Sequence, residues 1–500
     1  MNHSAFFENH VKFRFETHNE SGASSWFLSG HHKARYVHWM MRLKCFFSCL
    51  LLTLAAAAQT GSPRPTPSPS ADAQKISPQQ AEELFRSVDD ILHFSSQDTG
   101  LPIKHEVKRK LVNRDQVESF VMKHTTEDED AKRLRRSELV LKKFGLLPRD
   151  FDLSKFLVAL LKEQVAGYYD PKTKTVNLLD WVTPEQQKPV LAHELTHALQ
   201  DQSFDLEKFM KAGNANMAEK NTITIADLEA DELSTARQAV VEGQAMVVLM
   251  DYMLQPMGVS IEKAPQLLSQ LKDSIVAATS GSPQFNSSPL YLRSALTFPY
   301  RYGTEFVAQV LTKSGKQRAY SGLLDAPPTT SRQIMQPEVY LANERLAPMP
   351  LPDFLHDFKD YEVFDAGSVG EFDTEVIIEQ YSDEKTAGDL CTHWRGGYYY
   401  AVRPKGKDAA PLGLLYVSRW SDSASAKRFA DTYAGYLPKR YNKAQETSPS
   451  SKTKRVWTTE EGPVRSACKR AFSGCDSTLR AGTCPLRLPV KSLRGSSGSR

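Results

Sequence analysis

An α+β fold, with a mainly helical body, a small sheet and a small C-terminal α/β unit, is predicted by three observations. Helix-period apolar patterns recur through much of residues 77–313. Strand-like alternation is confined to short stretches around residues 101–111 and 164–179 and after residue 398. The chain is 40% hydrophobic and 24% charged, ordinary for a globular protein and incompatible with a polytopic membrane protein or a wholly disordered one. Its 500 residues exceed what one core usually serves, so two structured regions with tails are expected. The formal charge of +4 comes from the ends: residues 1–58 carry +3 and residues 466–500 carry +6, leaving −5 for the middle. A mildly acidic body excludes a nucleic-acid partner as the reading of the basic pI.

Residues 1–39 hold six of the thirteen histidines and no periodic apolar pattern, and read as a non-native or disordered extension preceding a start at Met40 or Met41. Residues 40–58 have the order of a signal peptide: Met41-Arg42-Leu43-Lys44, the 14-residue apolar run Cys45–Ala58, and Ala56-Ala57-Ala58 as a cleavage site. The chain is therefore expected to be exported, periplasmic or extracellular. The alternative is anchoring by the uncleaved segment, which would be the only membrane contact. Residues 59–76 form a Pro/Ser-rich linker.

Structure is expected from Ser77-Pro78, an N-cap followed by proline at the first helical position, with a helix to about His93. A strand over Leu101–Leu111 follows, then a helix capped by Asn113 and running to about Lys123. Thr126 and Glu129 form a capping-box pattern for a helix to Phe144. Gln164–Asp170 and Lys174–Leu179 flank Asp170-Pro171-Lys172 as a hairpin. Helical patterns then run from Val190 to Leu254, over Lys263–Ala278 and over Tyr302–Lys313, so that residues 77–382 form the main body. A second unit, 383–465, has strands at Tyr398–Val402 and Leu412–Ser418 and a helix at Ser421–Tyr433. Residues 466–500, rich in Ser, Arg and Gly and carrying Cys468, Cys475 and Cys484 at no zinc-binding spacing, read as a disordered or frame-shifted tail.

The chemistry concentrates in His193-Glu194-Leu195-Thr196-His197. On a helix, residues four apart stand about 40° from overlap, so both imidazoles can face one ion while Glu194 leans over it. Two neutral imidazoles leave a zinc ion electrophilic enough to acidify water, and the adjacent carboxylate can take the proton. A catalytic site needs a third protein ligand and an open position. Glu242, 45 positions beyond His197, lies in the apolar stretch Val240–Leu249, where a carboxylate is costly without a cation. Gly243 beside it suits a helix that approaches another closely. Asp227, Glu229, Asp231 and Glu232 compete, but they sit near that helix's start, where its dipole accounts for acids.

His193-Glu194-x-x-His197 with Glu242-Gly243-x-Ala245 resembles the gluzincin branch of zinc metallopeptidases, the thermolysin-like and aminopeptidase-like enzymes. The string His193–Gln202, with Gly167-Tyr168-Tyr169-Asp170-Pro171 before it and Phe298-Pro299-Tyr300 after it, also resembles a group of largely uncharacterised exported bacterial proteins. The resemblance spans roughly residues 80–440. It implies a zincin-like catalytic domain over 77–382, one Zn2+ per chain held by His193, His197 and Glu242, Glu194 as general base, and a peptide or protein substrate. The hairpin around Tyr168–Leu179 would supply an edge strand for an extended peptide. The sequence departs from the pattern in the long step from His197 to Glu242, which requires Leu206–Thr224 to loop out. It departs again at Gln244 and Met246, where some members carry acids, and at Gln336, where histidine is expected. Oxyanion donors in such enzymes are commonly Tyr or His, and Tyr300, Tyr302 and Tyr340 are the candidates.

Two other readings differ in class: a catalytically silent zincin-fold binding module of the cell envelope, and zinc-dependent hydrolysis of a non-peptide bond. Elsewhere, Glu127–Arg136 reads as a solvated helix start rather than a calcium loop, His356 and His393 as isolated histidines, and Trp394 with Tyr398–Tyr400 as filling for a small sheet.

Overall fold

The computed structural model describes residues 9–15, 75–119, 129–164, 167–211, 223–270, 282–350, 359–447 and 454–469. The signal peptide, nearly all of the linker, Thr126, His356, Cys475 and Cys484 lie outside them. No helix among the described residues is long and apolar enough to cross a membrane.

Within them the fold is α+β, as the sequence predicts. Ten strands form among the described residues: β1 (Asn9–Phe15), β2 (Lys108–Val112), β3 (Tyr168–Asp170), β4 (Thr175–Leu179), β5 (Tyr361–Ser368), β6 (Trp394–Pro404), β7 (Gly413–Trp420), β8 (Gln445–Glu446), β9 (Lys454–Thr458) and β10 (Val464–Lys469). The small sheet has the order β2-β4-β3, with β2 parallel and β3 antiparallel to β4. Above it lie the first helix, Pro78–Thr99, and the motif helix, Pro184–Phe204. Leu84, Val88 and Ile91 of the first helix, Val176 and Leu178 of β4, and Leu191, Leu195 and Leu199 of the motif helix make one apolar cluster. Sequence rules explain the helix starts: Ser77 and Gln80 exchange backbone and side-chain hydrogen bonds in a capping box, and Pro184 occupies the first turn of the motif helix. That helix continues through Pro189, whose missing N–H costs one bond near its start.

The long helix, Ile225–Leu254, opens with a Thr224–Asp227 capping box and packs beside the motif helix. Gly243 meets the expectation of close approach, since a Cβ there would lie 2.3 Å from the carbonyl oxygen of Gly303. Gly303 ends a π-turn, Pro299–Gly303, and a Cβ on it would lie 2.2 Å from the Ala239 carbonyl oxygen. The two backbones therefore touch without intervening side chains.

The larger sheet has the order β5-β6-β7-β1-β10-β9-β8, and every neighbouring pair is antiparallel. It departs from the sequence reading at three places. The sheet starts at Tyr361, before the expected boundary at 382/383, because β5 pairs with β6 across a bulge at Val363/Asp365. β1 lies within residues 1–39, where a disordered extension was expected, and pairs with β7 and β10. Its sequence signal is the short alternation Val11, Phe13, Phe15 against Lys12 and Arg14. β10 crosses the expected boundary at 465/466 and includes Cys468. The strand expected over Leu101–Leu111 forms only at β2; before it the Lys104 and His105 amides donate to Gln202 Oε1 at 2.7 and 3.0 Å instead of joining a ladder.

The sheet is fused to the body, for a single apolar cluster joins Val240 and Phe306 to Phe372, Trp420 and Phe429. Trp394, Tyr398 and Tyr400 are buried in it or beside it, as sheet filling. Gly370 lets the turn before the helix Glu371–Tyr381 sit against Glu232 of the long helix.

Candidate metal centre

The motif helix buries both histidines and the glutamate between them: His193 is 0% exposed, Glu194 1% and His197 4%. The long helix brings Glu242, 1% exposed, against them. His193 Nε2 and His197 Nε2 are 3.0 Å apart, and Glu242 Oε2 lies 3.3 Å from the first and 3.5 Å from the second. Among the described residues this is the group of three whose donor atoms converge closely enough to share a metal ion. Ligands about 2.0–2.1 Å from a tetrahedral zinc stand about 3.3–3.4 Å from one another, which these separations match. The imidazoles meet edge to face, with centroids 4.6 Å apart and planes at 89°.

The protonation chemistry of the cluster is set by burial and by Glu242. Burial pushes His193 down to about 4, keeping it neutral. Burial opposes protonation of His197 too, but the Glu242 carboxylate outweighs it and pushes that imidazole up to about 9. Glu242 itself is held below the usual carboxylate range by the two histidines, against its burial. The cluster therefore carries a proton on His197 at neutral pH, at a point where a metal ion could take its place.

Glu194 Oε2 accepts the backbone N–H of Tyr169 at 2.7 Å, and Oε1 is buried with no hydrogen-bond partner among the described residues. Burial pushes this carboxyl up to about 8, against the His197 charge and the Tyr169 bond.

Sequence reasoning missed the residues that orient the ligands. His197 Nδ1 stands 2.8 Å from Gln200 Oε1, a carbonyl that can only accept, so the ring donates through Nδ1 and turns Nε2 toward the cluster. Gln200 Nε2 in turn donates to Gln244 Oε1 at 2.8 Å and to the Val241 carbonyl at 3.1 Å. Gln244 Nε2 is anchored on the carbonyls of Ala319 and Tyr320 at 2.7 and 2.9 Å. The available signal was the position of Gln200, one helical turn after His197. Gln244 thus fills with an amide relay the place where an acid was looked for.

Three of the four competing acids do other work. Asp227 caps the long helix, Glu229 accepts from Tyr398 Oη at 3.0 Å, and Glu232 accepts the Ser331 N–H and hydroxyl at 2.8 and 2.9 Å. Of the three tyrosines, Tyr300 alone reaches the cluster: its ring stacks on His193 with centroids 6.4 Å apart and planes at 28°. Tyr302 Oη bonds Glu375 at 3.2 Å, and Tyr340 Oη donates to the Ala326 carbonyl at 2.6 Å while accepting from Arg318 at 2.8 Å. Gln336 is likewise spent elsewhere, donating to both oxygens of Glu371 at 2.7 and 2.8 Å. His393 bonds Ser421 at 2.9 Å, away from the site.

A family model described as a domain of unknown function (DUF8575) matches residues 360–485, the stretch that starts at the edge of the larger sheet. Among curated proteins and among solved structures there is no match. The matched segment contains none of His193, Glu194, His197 and Glu242.

Proposed function

We propose that this chain is an exported, zinc-dependent metallopeptidase of zincin-like fold, with His193, His197 and Glu242 as ligands and Glu194 as general base. The observation that carries the reading is the convergence of two imidazole nitrogens and a carboxylate oxygen at 3.0, 3.3 and 3.5 Å in a buried cluster. A zinc ion bound there would supply Lewis acidity, polarising a substrate carbonyl and acidifying water. Gln200 keeps His197 in the tautomer that ligates through Nε2. Glu194 Oε1 takes a proton from the attacking water and delivers it to the leaving amine, while Oε2 stays bonded to the Tyr169 amide. Tyr300, next to His193, is the remaining side-chain candidate for the developing oxyanion.

Elemental mass spectrometry on the purified full chain tests the ligand set. One zinc per chain, lost in His193→Ala and in Glu242→Ala, supports it. A folded wild type that takes up no zinc sinks it and leaves the binding-module reading.

A further inference from the structure

The hairpin β3–β4 is tied to the motif helix through one carboxylate. Asp201, four residues past His197 and 4% exposed, accepts with Oδ2 from the Tyr169 hydroxyl and from Lys174 Nζ, each at 2.7 Å. Its Oδ1 accepts the Leu206 N–H at 3.1 Å. Burial and the neighbouring Asp201 hold the Tyr169 phenol protonated, so the hydroxyl is the donor. Tyr169 lies in the outer strand of the small sheet and Lys174 closes the turn, so one side chain on the helix fixes both arms of the hairpin.

Glu194 precedes Asp201 by seven residues, two helical turns, and so shares its face of the motif helix. One carboxylate takes the backbone amide of Tyr169 and the other takes its phenol. The last torsion of a glutamate is soft, so the orientation of Glu194 depends on its partner rather than on its own rotamer. A hairpin displacement of about 1 Å would break a 2.7 Å bond and free that carboxylate to turn.

We propose that Asp201 is a positioning residue for Glu194: by fixing Tyr169 and Lys174 it sets the amide that engages Oε2 and leaves Oε1 for the reacting water. This rests on the peptidase reading of the site. Asp201 touches neither the ligand atoms nor the reacting groups, and acts only through the hairpin.

The test uses the full chain labelled with 15N-tyrosine, the Tyr169 amide being assigned by its disappearance in Tyr169→Phe. Asp201→Asn and Glu194→Gln are both expected to move that amide proton upfield, because each removes support for its bond to a carboxylate. With casein as substrate, Asp201→Asn is expected to lower kcat about tenfold to a hundredfold, the scale of a 1 Å misplacement. KM changes little and zinc stays at one per chain. Lys174→Met, at a half-exposed side chain, removes one bond with less risk to folding and is expected to act in the same direction with a smaller loss. An unmoved Tyr169 amide in Asp201→Asn, or a moved amide with unchanged kcat, overturns the proposal. A wild type without zinc-dependent turnover removes the peptidase reading instead, and the amide shift then still decides whether Asp201 holds Glu194's partner.

Discussion

Glu242 and Glu371 are both 1% exposed carboxylates, yet their surroundings are opposite in kind. Glu371 faces donors: both its oxygens accept from Gln336, and the Arg332 guanidinium stands 3.9 Å away. Glu242 faces two imidazole nitrogens that also face each other. At Glu371 donors meet an acceptor, and they offset its burial only in part. At Glu242 two imidazoles face the carboxylate and each other, and the charge on His197 holds the carboxylate ionised against its burial. A buried carboxylate is thus a candidate ion site when the groups around it can give up a proton and accept instead.

The largest expected effect that sharpens this contrast is on turnover. Glu194→Gln should lower kcat by about 10²–10⁴-fold, the usual worth of a general base, with zinc content unchanged. A variant that keeps more than a tenth of the wild-type rate would place the base elsewhere. Next comes the approach that positions Glu242: Gly243→Ala should destabilise the chain by about 3 kcal/mol, since an added Cβ meets the Gly303 carbonyl with nothing flexible to yield. Denaturant midpoints measure this, and a change within error would refute the backbone contact. Gln200→Ala should weaken zinc binding by about 10–100-fold through loss of ligand orientation. Competition with a chelator measures it, and Gln336→Ala, which acts at Glu371, should leave it unchanged.

The smallest effect concerns pH. Burial pushes Glu371 up to about 8, against Gln336 and Arg332. Its folded pKa exceeds its unfolded one, so the native state binds more protons between about pH 4.5 and 8. The stability this contributes is complete below about pH 4.5 and is lost as pH rises through about 8. Thermal melts across that window should show a loss of up to about 1.4 kcal/mol per pH unit from this group, absent in Glu371→Gln. An unchanged slope in the variant would mean that Glu371 is ionised throughout.

How far the sequence carries differs between the same two regions. His193, Glu194 and His197 were legible because four-residue spacing on a helix is a local property. Glu242 was legible because an acid within Val240–Leu249 conflicts with its own neighbours. Gln200 was overlooked although it lies in the same helix, since an amide carries no charge to flag it. Tyr302 and Tyr340 could not be separated from Tyr300 by sequence, because their partners Glu375, Ala326 and Arg318 are set by tertiary packing. The larger sheet was the least legible part: β5 is bulged and polar, and β1 is a seven-residue strand whose partners lie some 400 residues away. Long-range pairing leaves little trace in a local pattern.

The seam between Gly243 and Gly303 has one more consequence. Main chain rests on main chain there, so the contact has no rotamers to freeze. Glu242 precedes one glycine and Tyr300 lies three residues before the other, so the two share a rigid floor. Thermal motion that displaces one must carry the other.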